Sequence, residues 1–148
     1  MSLQGARRRI VYVVLYEAIA IAAATAGFAL IGGQPAGASG VVAAACSAIA
    51  VLWNLVFNGA FERWEARQAV PGRNWRRRIA HALGFEGGMA LFLVPLMAWA
   101  FGVGLWQALV MDAGLLVFFL GYTFVFHWAF DQIFGLPAAL TASAENVE

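Results

Sequence analysis

Arg7-Arg8-Arg9-Ile10-Val11-Tyr12-Val13-Val14-Leu15-Tyr16-Glu17 sets how the rest of the chain is read. It returns, without a gap and at an offset of 69 residues, as Arg76-Arg77-Arg78-Ile79-Ala80-His81-Ala82-Leu83-Gly84-Phe85-Glu86. Each copy places three arginines, a short apolar run and then a single glutamate, eight residues past the last arginine. A helix rises about 1.5 Å per residue, so each carboxyl group lies about 12 Å along the helix from its arginines. With the arginines at a membrane surface, both acids come to the middle of a hydrocarbon core about 30 Å thick.

Composition points the same way. The chain has 148 residues, 63% hydrophobic and 11% charged, with a mean hydropathy of +0.78. Soluble domains carry about 25% charged residues, and a chain this short has too little interior to hide so much apolar surface. The net charge of +1 argues against nucleic acid as a partner. The single cysteine, Cys46, lies in an apolar run and excludes an intrachain disulfide.

Four apolar segments are long enough to span a bilayer: about 10–31, 40–61, 79–101 and 105–128. A cleaved signal peptide is the competing reading of the first, with Ala36-Gly37-Ala38 as its cleavage site. The run is too long for that, holds an acid and recurs mid-chain. The links at 32–40 and 102–104 carry no charge, whereas all nine basic residues are arginines at the N-terminus or between 63 and 78. The positive-inside rule then puts both termini and the central segment in the cytoplasm.

The duplication extends past its opening. At the same offset, Trp53-Asn54-Leu55-Val56-Phe57-Asn58-Gly59-Ala60-Phe61-Glu62 falls on Tyr122-Thr123-Phe124-Val125-Phe126-His127-Trp128-Ala129-Phe130-Asp131. The expected fold is therefore an all-α membrane protein, with four transmembrane helices forming two parallel-repeat hairpins. Residues 1–69 make the first hairpin, 70–136 the second, and 137–148 a flexible cytoplasmic tail. Two hairpins that both start and end in the cytoplasm relate by a pseudo-twofold along the membrane normal.

The residues that can carry chemistry are few. An acid at the centre of a spanning helix costs about 2.5–3.5 kcal/mol on insertion scales and usually faces a cavity or a polar partner. In low dielectric such a group can exchange a proton near neutral pH, so that one carboxylate takes either a proton or a cation. Glu17 and Glu86 are the candidates, unless they only fix helix packing. On the helical period, Ala20, Ile21 and Ala24 share the side of Glu17, and Met89, Ala90 and Leu93 that of Glu86. Asn54 and Asn58, one turn apart with Glu62 a turn further, line an entry path or serve as interhelical glue. Asp112 is either a second cation or proton contact or a carboxyl snorkelling to the outer interface. His81 and His127 could ligate haem or lie at the interface. Tyr16, Trp53 and the other aromatics offer ring faces to organic cations or lie against lipid. The chain has no phosphate loop, no lysine, no metal-ligand spacing and no nucleophile elbow. ATP-driven pumping, catalysis and a bound cofactor or metal are therefore not expected.

Arg78-Ile79-Ala80-His81-Ala82-Leu83-Gly84-Phe85-Glu86 resembles the Arg-x-x-His-Ala-x-x-Phe-Glu signature of the proteobacterial antimicrobial compound efflux transporters, which carry tandem bacterial transmembrane pair domains. Trp53-Asn54-x-x-Phe57-Asn58 and Tyr122-Thr123-x-Val125-Phe126, followed by Phe130-Asp131, resemble that family's other motifs. The resemblance covers about residues 7–134. It implies a four-helix inner-membrane protein that exports cationic biocides such as chlorhexidine, and short diamines, in exchange for protons. Glu17 then corresponds to the family's essential first-helix glutamate. Tyr12 stands where the family often has histidine, Tyr16 where it has phenylalanine, and His127 where asparagine is common. The expected partners are cationic small molecules, protons, the lipid bilayer and a second copy of the chain.

Overall fold

A computed structural model of the protein describes residues 5–68 and 74–135. The expected tail at 137–148 lies outside them, as do residues 69–73. The described residues are helical apart from short links. α1 runs over Gly5–Ala26 and continues as a π-helical turn over Gly27–Ile31, α2 over Ala36–Ala66, α3 over Trp75–Phe101 and α4 over Leu105–Phe134. With the π turn included, the four stretches have 27, 31, 27 and 30 residues and are apolar enough to cross a membrane. The four expected spans are all present.

Each helix outlasts its apolar run. α1 and α3 begin at Gly5 and Trp75, so both arginine triplets lie on helix. α2 and α4 continue to Ala66 and Phe134, past Glu62 and Asp131. The hydrocarbon core fixes the length of the apolar run, not where backbone hydrogen bonding ends. Charged residues therefore continue a helix into the interface and water.

Local signals explain the termini. Asn74 caps α3 by accepting from the Arg77 N–H at 3.0 Å. Pro35 stands at the N-cap of α2, and its carbonyl accepts from the Ser39 N–H and hydroxyl at 2.9 and 3.0 Å. Gly102 ends α3 with φ 65° and ψ 30°, a left-handed position that suits a residue without Cβ. α3 passes through Pro95 as one helix.

The chain divides into two compact units, each with its own small core. The first holds the N-terminal half of α1, to Ala20, and the C-terminal half of α4, from Gly114. Ala20, Phe126 and Phe130 are buried in it. The second holds the end of α1, all of α2 and α3, and α4 up to Ala113. Its core is Ala24, Phe28, Val42, Ala43, Cys46, Leu93, Met97 and Ala108, with Ser39 as its buried polar residue. Most remaining large apolar side chains are exposed, Trp99 at 83% and Leu91 at 75% among them. In water that surface would drive aggregation, whereas in lipid it is the solvated face.

Candidate functional site

The duplicated segments build two interfaces that can be compared residue by residue. In the first unit, the opening stretch of α1 packs on the closing stretch of α4. In the second, the opening stretch of α3 packs on the closing stretch of α2. Each repeat thus lays its arginine-to-glutamate helix against the second helix of the other repeat.

Most ring contacts recur in both. Phe126 meets Tyr12 and Tyr16 edge-on, with centroids 5.2 Å apart in each pair. Its counterpart Phe57 meets His81 and Phe85 edge-on at 5.2 and 5.7 Å. Phe130 sits against Tyr12 at 5.1 Å, and Phe61 against His81 at 4.8 Å. The Phe126–Phe130 and Phe57–Phe61 steps are both 5.8 Å, with interplanar angles of 29° and 27°. Edge-to-face pairing of this kind adds about 0.5–1.5 kcal/mol per pair beyond area burial.

Polar contacts follow the same plan with different atoms. His81 Nε2–H donates to Asn58 Oδ1 at 2.8 Å. At the matching place the Tyr12 hydroxyl lies 2.7 Å from His127 Nε2. The other nitrogen of His127 is 2.8 Å from the Thr123 carbonyl, which can only accept. Nδ1 therefore carries the proton and Nε2 accepts from Tyr12. Both ring nitrogens of His127 are thus engaged within this interface. Among the described residues no group of three or more His, Cys, Asp or Glu is placed to hold a metal. One turn deeper, Tyr16 hydrogen-bonds the Thr123 hydroxyl at 2.8 Å. The corresponding residues of the second unit are Phe85, which has no hydroxyl, and Asn54, which is exposed on α2.

Two donors reach backbone. The Tyr122 hydroxyl donates to the Tyr16 carbonyl at 2.8 Å. The Trp53 indole N–H donates to the Phe85 carbonyl at 2.9 Å. These carbonyls belong to the residues immediately before Glu17 and Glu86. The indole fits because Gly88 faces it, where a Cβ would collide with the ring. Gly84 likewise leaves room for Phe57, a Cβ there coming within 3.0 Å of the ring. In α1 the matching residues are Leu15 and Ile19.

Both acids are half-buried. On the side of Glu17, Ala20 and Ala24 are buried as the period requires. On that of Glu86, Leu93 is buried and Met89 and Ala90 half-buried. Glu86 and Asp112 lie close enough for their charges to interact, and Cys46 is within reach of the same Asp112 charge. Glu17 interacts electrostatically with Tyr122. Of the residues singled out from sequence, Asn58 is thus brought to His81, Trp53 to the Glu86 turn and Tyr16 to Thr123, while Glu86 and Asp112 are linked through their charges alone and Asn54 joins none of these. Sequence reasoning passed over Thr123 and the donor role of Tyr122. The signal for the latter was available, since Tyr122 aligns with Trp53 and both residues carry a ring-borne donor.

At the end of α4, Arg8 forms an ion pair with Asp131 and donates to the Gly135 carbonyl at 3.0 Å. Its guanidinium lies 5.0 Å from the Phe130 ring centroid. The arginine triplet of α1 is thereby tied to the closing stretch of α4.

Residues 4–67 and 73–136 each match the family model described as the chlorhexidine efflux transporter. The chain belongs to the chlorhexidine efflux transporter family. The two matched segments are the two repeats, and as a member of that family the chain is a multi-pass membrane transporter and not an enzyme. It is 36% identical over 127 residues to a short-chain diamines transporter of Acinetobacter baylyi, covering 86% of this chain and 89% of the relative. It is 33% identical over 131 residues to one of Acinetobacter baumannii, covering 86% and 88%. A third, of Vibrio parahaemolyticus, is 34% identical over 125 residues, covering 84% and 89%. No solved structure matches the chain.

Proposed function

We propose that this family member exports organic cations across the bacterial inner membrane in exchange for protons, with Glu17 and Glu86 as the groups at which proton and cation compete. One observation carries the reading: an acid recurs at the same place in both repeats, half-buried on an otherwise apolar helix, and one of the two has a second carboxylate within electrostatic reach. A pair such as Glu86 and Asp112 repels itself when both groups are charged. A dication or a proton relieves that repulsion, and one displaces the other. Chlorhexidine-like biocides and short diamines carry two such charges, and the family and relatives point to both. Tyr16 and the rings around it present faces that attract organic cations. Asn58 and His81 line the approach from the arginine-bearing end, and exposed Asn54 offers a first polar contact.

Both termini lie in the cytoplasm in this reading, and a homodimer provides the volume that four helices lack. An inward-negative potential drives proton entry with about 2.3 kcal/mol per charge per 100 mV. The test is efflux of 1,5-diaminopentane from proteoliposomes with an imposed pH gradient, repeated with the gradient collapsed by a protonophore. Efflux that follows the gradient, together with trans-stimulated counterflow, supports exchange. Gradient-independent flux without trans-stimulation identifies a passive channel and removes the proposal.

A further inference from the structure

The hydrogen bonds from Tyr122 and Trp53 have no need to exist for backbone satisfaction. A carbonyl inside a helix already accepts from the amide four residues on. The Tyr16 and Phe85 oxygens each use their second lone pair for a side chain of a neighbouring helix, at 2.8 and 2.9 Å. The contact recurs in both repeats although the donor has changed from phenol to indole. The surroundings have changed with it, Gly88 making room for the indole where α1 carries Ile19. Two different side chains have thus reached the same backbone atom, each time in the peptide unit that carries the glutamate Cα. That unit is planar and ends at the glutamate Cα, so a contact that holds its oxygen also restrains the point from which the glutamate side chain leaves the helix.

We infer that Tyr122 and Trp53 are positioning residues, which aim the Glu17 and Glu86 carboxyls by tying down the preceding carbonyl. The inference rests on the reading of those acids as the cation and proton site. It also separates the two acids. An indole N–H is fixed in the plane of a ring wedged against Gly88, so the Glu86 turn is held in one place. A phenol hydroxyl rotates about its C–O bond and can release the Tyr16 carbonyl, so the Glu17 turn can be let go and recaptured. Glu17 is then the acid whose direction changes during turnover, and Glu86 the one that stays.

The test uses the full chain in detergent, with chlorhexidine as the titrated probe in calorimetry and melting temperature as the control for folding. Trp53→Phe and Tyr122→Phe each remove one donor and keep a ring; Trp53→Tyr installs the donor that the other repeat already uses. The two phenylalanine variants are expected to bind about fivefold to tenfold more weakly, the loss of one well-placed hydrogen bond, while Trp53→Tyr stays within about twofold of wild type. A purely structural role would instead move melting temperature and leave Trp53→Phe and Trp53→Tyr alike in affinity, which overturns the inference. Glu17→Gln and Glu86→Gln are run alongside. If they lose affinity while Trp53→Phe and Tyr122→Phe do not, only the positioning role falls. If the acid variants bind like wild type, the acids are not the site, and the positioning role falls with that reading.

Discussion

The α1/α4 interface of the first unit and the α2/α3 interface of the second start from one duplicated sequence and have kept different things. Both keep the ring ladder almost unchanged, down to 5.8 Å steps at Phe126–Phe130 and Phe57–Phe61. Hydrogen bonding has been rewritten. A histidine that donates to asparagine on one side becomes a tyrosine that donates to histidine on the other. Tyr16–Thr123 adds a bond that Phe85 cannot make. An indole seated on Gly88 becomes a phenol, and Ile19 stands at the position matching that glycine. Aromatic packing in lipid is set by shape and tolerates little change, whereas a polar pair can be replaced by any other pair that still matches donor to acceptor. Duplication has therefore conserved the scaffold of the two acids and made their immediate partners different.

That contrast can be broken by copying residues from one interface into the other. The largest effect is expected from Gly88→Ile, which installs the α1 residue where the indole must sit. Forced overpacking of this kind costs about 1–3 kcal/mol, read as a lowered melting temperature in detergent. The reverse change, Ile19→Gly, costs about 1 kcal/mol in helix propensity, because Ile19 is exposed. Equal losses would show that the indole does not depend on Gly88.

Next comes the swapped polar pair. Tyr12→His with His127→Asn rebuilds in the first unit the His–Asn pair of the second. The double variant should be more stable than the sum of its single changes by about 0.5–1 kcal/mol in a double-mutant cycle. Strict additivity would mean that the Tyr12–His127 bond contributes nothing specific. The smallest effect is expected for Tyr16→Phe, which makes the first unit resemble the second at that turn. It removes one interhelical hydrogen bond, worth about 0.6 kcal/mol on average in membranes. A loss several times larger would mean that the Tyr16 hydroxyl has a role beyond bonding Thr123.

The repeat, the four spans and the two acids were legible in the sequence because they depend on local quantities. Apolar run length, arginine position and one lone glutamate per copy need no knowledge of what touches what. Helix ends were less legible, since Glu62 and Asp131 end an apolar run without ending a helix. The exchange of partners was not legible at all: identical offsets are equally compatible with each repeat packing on itself, and only coordinates show α1 against α4 and α2 against α3. The donors to the Tyr16 and Phe85 carbonyls were hidden for a related reason. Sequence shows that a side chain owns a donor but not which backbone oxygen lies within 3 Å of it. Gly84 and Gly88 read as unremarkable small residues until the rings of Phe57 and Trp53 appear beside them.

The central claim, that the mid-span glutamates exchange cation for proton, is tested most directly at Glu17 in proteoliposomes driven by a pH gradient. Efflux of 1,5-diaminopentane by Glu17→Gln should fall to background while Glu17→Asp, which keeps a carboxylate that can be protonated, retains measurable exchange. Proton-driven efflux by Glu17→Gln at the wild-type rate would contradict the account.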